Sequence, residues 1–249
     1  AKVARAAKAQ GARLVHVSAI GADENSTSSY ARSKAAAEHV IREIVPEATI
    51  MRPSIMFGPE DNFFNLFASL ARMSPVLPLV GGGHTKFQPV FVGDVAQAIA
   101  NAVDGQARAG TTYELGGPEV RTFREILEYI LATIERRRLL LPMPFLVAKL
   151  QASLMQFMPT PLLTPDQVEL LRTDNVVSDA AVTQGRTLQG LGIAPTPIEA
   201  IVRPGIRFRE IHAEAMKVIA AKTAEWGLLP VSAAESLEPE HQYHRRYMV

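Results

Sequence analysis

The sequence contains no cysteine and carries almost no net charge. The absence of cysteine excludes disulfide bonds, a thiolate nucleophile and any zinc or iron–sulfur centre held by sulfur. Lysine and arginine together number 26, against 25 aspartates and glutamates, so the formal charge is +1. Because nucleic-acid-binding proteins carry an excess of basic residues, no nucleic-acid partner is expected. The remaining pattern of histidines and carboxylates predicts no metal site.

Long apolar runs are also missing, since no stretch reaches the roughly 18 apolar residues of a membrane-spanning helix. The most apolar region is residues 139–163, with Lys149 as its one charge. Two interpretations of this region stay open. It could be a helix buried in a small lobe, or a helix lying on a membrane surface or a membrane-protein partner. The preceding residues 136–138, all arginine, would suit anionic lipid headgroups.

Apolar, β-branched segments alternate with segments of strong helix formers over the first half of the chain. The predicted strands are residues 13–20, 48–58 and 111–117, and the predicted helices are residues 29–45, 62–73 and 94–104. Asp94 is expected to cap the last of these helices, and the aromatic stripe of residues 62–73 is interpreted as core. This alternation predicts an α/β fold with a Rossmann-like, doubly wound parallel sheet.

The pattern changes after Pro118 to mainly helical segments, so a second, smaller lobe is expected. Thr122 and Glu125 have the spacing of a helix-capping box. The predicted organisation is a partial dinucleotide-binding domain over 1–118, with 60–86 contributing to the second lobe, a mostly helical lobe over 119–202, and an extra helix and mobile tail over 203–249.

Three polar residues follow the first predicted strand closely. Ser18 ends the strand, and Tyr30 and Lys34 lie four residues apart on the following helix, so that they share one face. In an α/β unit the carboxyl end of a strand faces the ligand crevice, where these groups can converge. A nearby ammonium favours the phenolate of a tyrosine, whose ordinary pKa is about 10, and so makes it a better acid or base at neutral pH.

The order of these motifs resembles the short-chain dehydrogenase/reductase superfamily, in its extended and atypical branch. The Ser…Tyr-x-x-x-Lys pattern of that family falls on the three residues above, and its segment lining the nicotinamide end of the cofactor falls on "RPSIMFGP", residues 52–59. The resemblance implies NADP or NAD as the cofactor. It implies catalytic roles for Ser18, Tyr30 and Lys34, and cofactor binding by Tyr30, Lys34, Arg52, Pro53, Ser54 and Ile55.

Longer segments, among them "SSYARSKAAAE" and "LTPDQVELLRTDNVV", resemble more narrowly the nucleotide-binding accessory subunits of respiratory complex I and their bacterial relatives. This resemblance runs from about residue 1 to residue 202. It implies an NAD(P)-binding accessory or assembly subunit whose cofactor is mainly structural and whose partners are complex I subunits. It also implies a peripheral place on the cytoplasmic side of a bacterial inner membrane, or on the matrix side in mitochondria.

One part of the family pattern has no counterpart in the chain. The first strands and the glycine-rich turn that holds the cofactor pyrophosphate are not found, so we expect an N-terminally truncated fragment. Two other functions stay open. The protein could be an active NAD(P)-dependent reductase, dehydrogenase or sugar-nucleotide epimerase, or a fragment with no function of its own.

Overall fold

The computed structural model describes residues 1–58, 61, 63–155 and 163–202. The predicted extra helix and tail at 203–249 lie outside the described residues, as do residues 156–162 of the apolar region. The helices of the described part are α1 (Lys2–Ala9), α2 (Ser29–Ile44), α3 (Phe64–Met73), α4 (Val92–Val103), α5 (Phe123–Thr133), α6 (Phe145–Met155), α7 (Pro165–Leu170), α8 (Asp179–Thr183) and α9 (Ile198–Ile201). Its strands are β1 (Val15–Val17), β2 (Thr49–Pro53), β3 (Met56–Phe57), β4 (Val76–Val80), β5 (Lys86–Phe87), β6 (Val90–Phe91), β7 (Thr112–Leu115), β8 (Arg121–Thr122) and β9 (Leu139–Met143).

The central sheet has the strand order β1–β2–β7, and both pairings are parallel. Successive residues of a strand face opposite sides of a sheet, and β2 shows this clearly. Met51 packs with Tyr113 and with residues of α4 on one side, whereas the next residue, Arg52, reaches Glu38 of α2 on the other. Helices therefore cover both faces, which confirms the predicted α/β fold with a parallel Rossmann-like sheet.

Two predicted strands are shorter in the structure than their apolar runs. Strand β1 covers three residues of the predicted 13–20, although the amides of Ser18 and Ile20 still donate to carbonyls of the neighbouring strand. The predicted strand 48–58 divides into β2 and β3 after Pro53. The division falls where the Ile55 amide donates to the side chain of Asn175 instead of joining the central sheet.

The prediction that Asp94 caps a helix is wrong. Helix α4 begins two residues earlier, and Asp94 lies within its first turn, where its carboxylate accepts hydrogen bonds from the amide and hydroxyl of Thr196. Because the first-turn N–H groups of a helix favour negative charge nearby, this carboxylate can face them and still bind a distant segment. Asp94 thus ties the end of the second lobe to the parallel sheet.

A cluster of phenylalanines forms a hydrophobic core that joins residues 55–91 to the helical segments after Pro118. Seven of the ten phenylalanines of the sequence belong to it. Their rings meet mostly edge to face or tilted, at centroid separations of 5.1–6.3 Å, which is the preferred geometry for aromatic pairs. The members are Phe57, Phe63, Phe64, Phe67, Phe87, Phe91 and Phe123. The interpretation of residues 62–73 as core is confirmed.

The second lobe contains a strand pair that the sequence pattern did not predict. Strands β4 and β9 pair in parallel, with Val76 opposite Leu139, although these two first residues are 63 positions apart in the chain.

 The 58 residues between the two strands, 81–138, include α4, β7 and α5, so the pairing depends on the tertiary fold and leaves no local signal. The predicted capping box of Thr122 and Glu125 is confirmed at the start of α5.

A buried ion pair joins α2 to β2. The Arg52 guanidinium donates two hydrogen bonds, of 2.8 and 2.7 Å, to the carboxylate of Glu38. Burial by itself raises the pKa of the Glu38 carboxyl, but the hydrogen bonds and charge of Arg52, together with the nearby Ser18 hydroxyl, outweigh burial, so that the pKa lies below its ordinary value. The charged form of Glu38 is therefore stabilised by folding, and the pair fixes how α2 is rotated over the sheet.

Replacing Glu38 with glutamine should lower the free energy of unfolding by about 2 kcal/mol at neutral pH, because charge-assisted hydrogen bonds are lost. A carboxyl with a lowered folded pKa stabilises the protein above its unfolded pKa, about 4.3, and this contribution disappears as the pH falls through the folded pKa. The deficit of Glu38→Gln should therefore shrink below about pH 4. Denaturant unfolding measured at several pH values checks this.

The matched control is Glu43→Gln, on the same helix. Glu43 is exposed and pairs with His39 one turn away, so its replacement should change the free energy of unfolding by less than about 0.5 kcal/mol. Equal losses in the two variants would contradict the role given to the buried pair.

Candidate functional site

Helix α2 carries the two closest members of the predicted triad, and its first turn is held from two directions. Ser28 is the N-cap, and its hydroxyl oxygen accepts a hydrogen bond from the amide of Ala31. The amides of Ser29 and Tyr30 donate instead to the carboxylate of Asp166, at 2.6 and 3.2 Å. The N–H groups that a helix leaves unpaired at its start are thus satisfied, and Tyr30 sits in an ordered first turn.

Tyr30 and Lys34 lie side by side, as their spacing predicts. The Lys34 ammonium is 5.5 Å from the centroid of the Tyr30 ring and 3.5 Å from the carbonyl oxygen of Val17 at the end of β1. The side chain of Tyr30 is 45% exposed, yet partial burial raises the pKa of its phenol. Burial is the one cause of this rise, and the lowering of the Tyr30 pKa that the sequence predicts from Lys34 does not accompany it.

Ser18 is near this pair in the chain but its hydroxyl is turned into the protein. Its side chain is only 3% exposed, and its oxygen makes no hydrogen bond of normal geometry to the described residues. The hydroxyl still lies close enough to the Glu38 carboxyl to help lower its pKa. The structure therefore brings Tyr30 and Lys34 together, whereas the Ser18 hydroxyl is buried near the Glu38 carboxyl.

The four residues predicted to line the cofactor lie at and beyond the end of β2. Arg52 binds Glu38, as described above, and Pro53 ends the strand in a buried position. The Ser54 hydroxyl donates to the side-chain oxygen of Asn175 at 2.6 Å, and the Ile55 amide donates to the same oxygen at 3.0 Å. These residues lie at the carboxyl edge of the sheet, where α/β proteins bind ligands, and their cofactor roles stay predictions.

Sequence reasoning missed Asp166 and Asn175, the two residues of the second lobe that hold this edge. Both occur in "LTPDQVELLRTDNVV", which was noted only for its resemblance. Asp166 follows Thr164 and Pro165 and looks like an ordinary first-turn acid of its own helix α7. No local pattern could indicate that its carboxylate serves a helix 137 residues earlier.

The environment of Asp166 favours its charged form. Burial tends to raise the pKa of its carboxyl, but hydrogen bonds from Ser29, Ser28 and Tyr30 outweigh burial and hold the pKa below its ordinary range. A charged carboxylate at a helix start also interacts favourably with the helix dipole. Asp166 is therefore an anionic anchor for the turn that carries Tyr30.

The described part of the chain contains neither a membrane-spanning helix nor a metal-binding cluster of acidic residues and histidines. None of its helices is both long enough and apolar enough to cross a membrane. Within the same residues, no group of three or more histidines, aspartates and glutamates is placed to hold a metal ion.

Two known proteins similar to this chain are mitochondrial NADH dehydrogenase subunits. The protein called "NADH dehydrogenase [ubiquinone] 1 alpha subcomplex subunit 9, mitochondrial" from Arabidopsis thaliana is 41% identical over 219 residues, covering 81% of this chain and 54% of the relative. The protein of the same name from Mus musculus is 35% identical over 231 residues, covering 90% of this chain and 60% of the relative. The chain thus spans between half and two thirds of the length of these relatives.

Solved structures share the fold at low sequence identity. The structure described as "Crystal structure of gox2253" has a TM-score of 0.61 and 20% identity, covering 84% of this chain and 69% of that one. "MoeE5 in complex with UDP-glucuronic acid and NAD" has a TM-score of 0.55 and 14% identity, covering 79% and 64%.

A family model agrees with these similarities. The model described as "RmlD substrate binding domain" matches residues 1–179, well over half of the chain. The chain belongs to the RmlD substrate-binding-domain family.

Proposed function

We propose that the protein is an accessory subunit of the respiratory NADH:quinone oxidoreductase, complex I, and binds NADP or NAD mainly as a structural cofactor. The observation that carries this proposal is the similarity to complex I subunits of plant and mouse mitochondria along 81% and 90% of the chain. Its partners are then other complex I subunits. Its place is peripheral, on the matrix side in mitochondria or on the cytoplasmic side of a bacterial inner membrane.

The proposed cofactor site is the carboxyl edge of the sheet around Tyr30 and Lys34. A neighbour of the same fold is described with NAD bound, and the residues present fit such a group. The Tyr30 side chain is accessible, and the Lys34 ammonium, whose hydrogen bond to Val17 is long, has donors left for the hydroxyls of a ribose. Tyr30 and Lys34 would hold the nicotinamide ribose, with residues 52–55 alongside.

The arrangement supports binding more than turnover. A general acid or base works best with a pKa near the working pH, whereas burial raises the pKa of Tyr30. The Ser18 hydroxyl that would orient a substrate oxygen is buried beside Glu38. A ligand that binds only the folded state stabilises it without any reaction, so a dinucleotide can serve this subunit as a structural element.

The second lobe presents an unusual helix that supports a membrane contact. Helix α6 fully buries its small residues Ala148 and Ala152, while Leu146, Leu150 and Leu154 are 79%, 67% and 69% exposed. A helix normally buries its larger apolar side chains, because burial of each stabilises a protein by about 1.5–3 kcal/mol. The exposed row therefore indicates an external apolar occupant.

Charge near this helix favours an anionic lipid surface as that occupant. Strand β9, which leads into α6, exposes Leu139 and Leu141. Immediately before the strand, Arg136, Arg137 and Arg138 line a shallow depression together with Arg124 and a single acid, Glu128. Exposed leucines combined with basic residues are typical of surfaces that bind anionic membranes. We assign the face formed by β9 and α6 to this contact.

The full-length protein should bind NADPH or NADH, and Lys34→Ala should weaken this binding at least tenfold, since hydrogen bonds from a charged donor contribute about 1.5–3 kcal/mol. Titration calorimetry measures the affinity. Saturating dinucleotide should also raise the free energy of unfolding, by about 2.7 kcal/mol at a hundred times the dissociation constant. The control is Lys8→Ala in α1, which should bind as the wild type does. Wild-type protein that binds neither dinucleotide would contradict the proposed site.

A measurement of turnover distinguishes the proposed accessory role from that of an active enzyme. In gentle extracts, we expect the full-length protein to co-purify with complex I subunits. After purification away from membranes, it should retain its dinucleotide and should not oxidise NAD(P)H in the presence of carbonyl or sugar-nucleotide substrates. Tyr30→Phe removes one hydroxyl that would bind the ribose, so it should weaken dinucleotide binding by about 0.5–1.5 kcal/mol and leave the absence of turnover unchanged. A steady-state rate that disappears in Tyr30→Phe would instead establish a reductase, dehydrogenase or epimerase.

Vesicle binding checks the membrane contact. The full-length protein should sediment with vesicles containing phosphatidylglycerol more strongly than with phosphatidylcholine alone. Replacing Arg136 and Arg137 with glutamine should weaken the free energy of binding to the anionic vesicles by about 1 kcal/mol for each charge removed. The double substitution Leu146→Gln with Leu150→Gln should also release the protein from the vesicles. The control is Val182→Gln, an exposed apolar residue of α8.

Two results would overturn the assignment to lipid. One is equal binding of all variants to anionic vesicles. The other is a leucine variant that binds vesicles normally but no longer joins complex I, which would assign the face to a protein partner.

A further inference from the structure

One segment of the second lobe reaches both halves of the proposed cofactor site. This segment, residues 164–178, is named here the bridging segment. It begins at Thr164, the N-cap of α7, and ends at Ser178, the N-cap of α8. Asp166 near its start contacts the helix that carries Tyr30, and Asn175 near its end contacts the residues that follow β2.

The contact at Asp166 is a four-fold hydrogen-bond cluster. Its carboxylate accepts from the amides of Ser29 and Tyr30 and from the hydroxyls of Ser28 and Ser29, at 2.6, 3.2, 2.9 and 3.1 Å. Both carboxylate oxygens take part. A carboxylate fixed by several donors cannot move without the turn it binds, so the position of α7 and that of the first turn of α2 are linked.

Helix α2 needs this acceptor from outside. Its own first turn contains no acidic residue, although the start of a helix is stabilised by negative charge and by acceptors for its free N–H groups. Ser28 can serve one of those groups with its hydroxyl. Without Asp166, the amides of Ser29 and Tyr30 would depend on water, and the first turn would be free to fray.

Asn175, near the far end of the bridging segment, also makes several hydrogen bonds. The side-chain oxygen of Asn175 accepts from the Ser54 hydroxyl and the Ile55 amide, while its side-chain nitrogen donates to the carbonyl of Ile20 at 3.3 Å. Its backbone carbonyl accepts from the amide of Gln88. Asn175 thus fixes the ends of β1 and β2 relative to the bridging segment.

We propose that Asp166 is a positioning residue for the cofactor site, through which the second lobe sets the place of Tyr30 and Lys34. This inference rests on the proposed function, because it concerns the affinity of the site around those two side chains. Asp166 itself does not touch the cofactor. It acts by holding the turn of α2, so it affects the nicotinamide-ribose end of a dinucleotide and leaves the adenosine end alone.

The experiment compares a whole dinucleotide with a part of it. The full-length protein and its variants are titrated with NADPH and NADH, and separately with 2′,5′-ADP and ADP, which lack the nicotinamide ribose. Asp166→Ala should raise the dissociation constant of the preferred dinucleotide about tenfold and leave that of the matching fragment within twofold. Asp166→Asn keeps one acceptor oxygen and should fall between alanine and the wild type.

The matched control is Asp179→Asn. Asp179 also stands in the first turn of a short helix of the second lobe, at the start of α8, and its side chain has no part in the Asp166 cluster. It should bind dinucleotides and fragments as the wild type does. Hydrogen exchange of the amides of residues 29–32 provides an independent measurement, and these amides should exchange at least tenfold faster in Asp166→Ala.

Each alternative outcome has a distinct meaning. A variant that binds the dinucleotide as tightly as the wild type overturns the inference. Equal weakening of dinucleotide and fragment also overturns it, because the role of Asp166 is then structural for the whole domain. If Asp166→Ala does not fold, Asp166→Asn decides between these outcomes. Wild-type protein that binds only the fragment, or nothing, refutes the proposed cofactor site itself and the inference with it.

Discussion

The start of helix α2 is the constraint on which the site depends. Tyr30, Lys34 and Glu38 follow one another at intervals of four residues, so a single face of the helix carries all three. The Asp166 cluster fixes the helix at its first turn, and the pair of Glu38 with Arg52 fixes its rotation two turns later. Because α2 is held at these two points, it cannot slide along its axis or rotate about it. Its other side chains, Tyr30 and Lys34 among them, are therefore held in place as well.

The polar residues around α2 fall into two groups, one buried in structural contacts and one left near the surface. Inside the protein, Arg52 donates hydrogen bonds to the Glu38 carboxylate, and the Ser18 hydroxyl lies beside the same carboxylate. Tyr30 and Lys34 remain near the surface and face each other. An exposed phenol beside an ammonium that makes only one long hydrogen bond can still donate to a ligand, while the Glu38–Arg52 pair on the same helix is occupied with structure.

The sequence predicts the parts of this arrangement that depend on neighbouring residues. Strand and helix periodicity located the parallel sheet, the spacing of Thr122 and Glu125 located a capping box, and the four-residue interval placed Tyr30 beside Lys34. Each of these signals lies within one or two turns of chain. The burial of the Ser18 hydroxyl was not predictable, because a residue at the end of a strand can turn to either side of the sheet edge.

Contacts between distant segments were the ones that sequence reasoning missed. Asp94 binds Thr196 across 102 residues, and Asp166 binds the start of α2 across more than 130. In both cases an acid in the first turn of a helix looks locally like a group that serves its own helix. Periodicity and capping rules describe such a residue correctly as favourable to the helix dipole, but they contain no information about which other donors the fold brings to it.

This division also gives the Tyr–Lys pair a role in the proposed accessory subunit that would need no turnover. The side chains that would hold a nicotinamide ribose stand on a helix whose start is tied to the second lobe through Asp166. Occupation of such a site would stabilise α2, and linkage requires that anything stabilising α2 in its bound position also strengthens the contact with the bridging segment. A ligand bound at the sheet edge would then hold the two parts of the subunit together. Loss of the phenol or the ammonium would weaken an assembly even where no hydride is ever transferred, so that the presence of these residues is as well explained by binding as by catalysis.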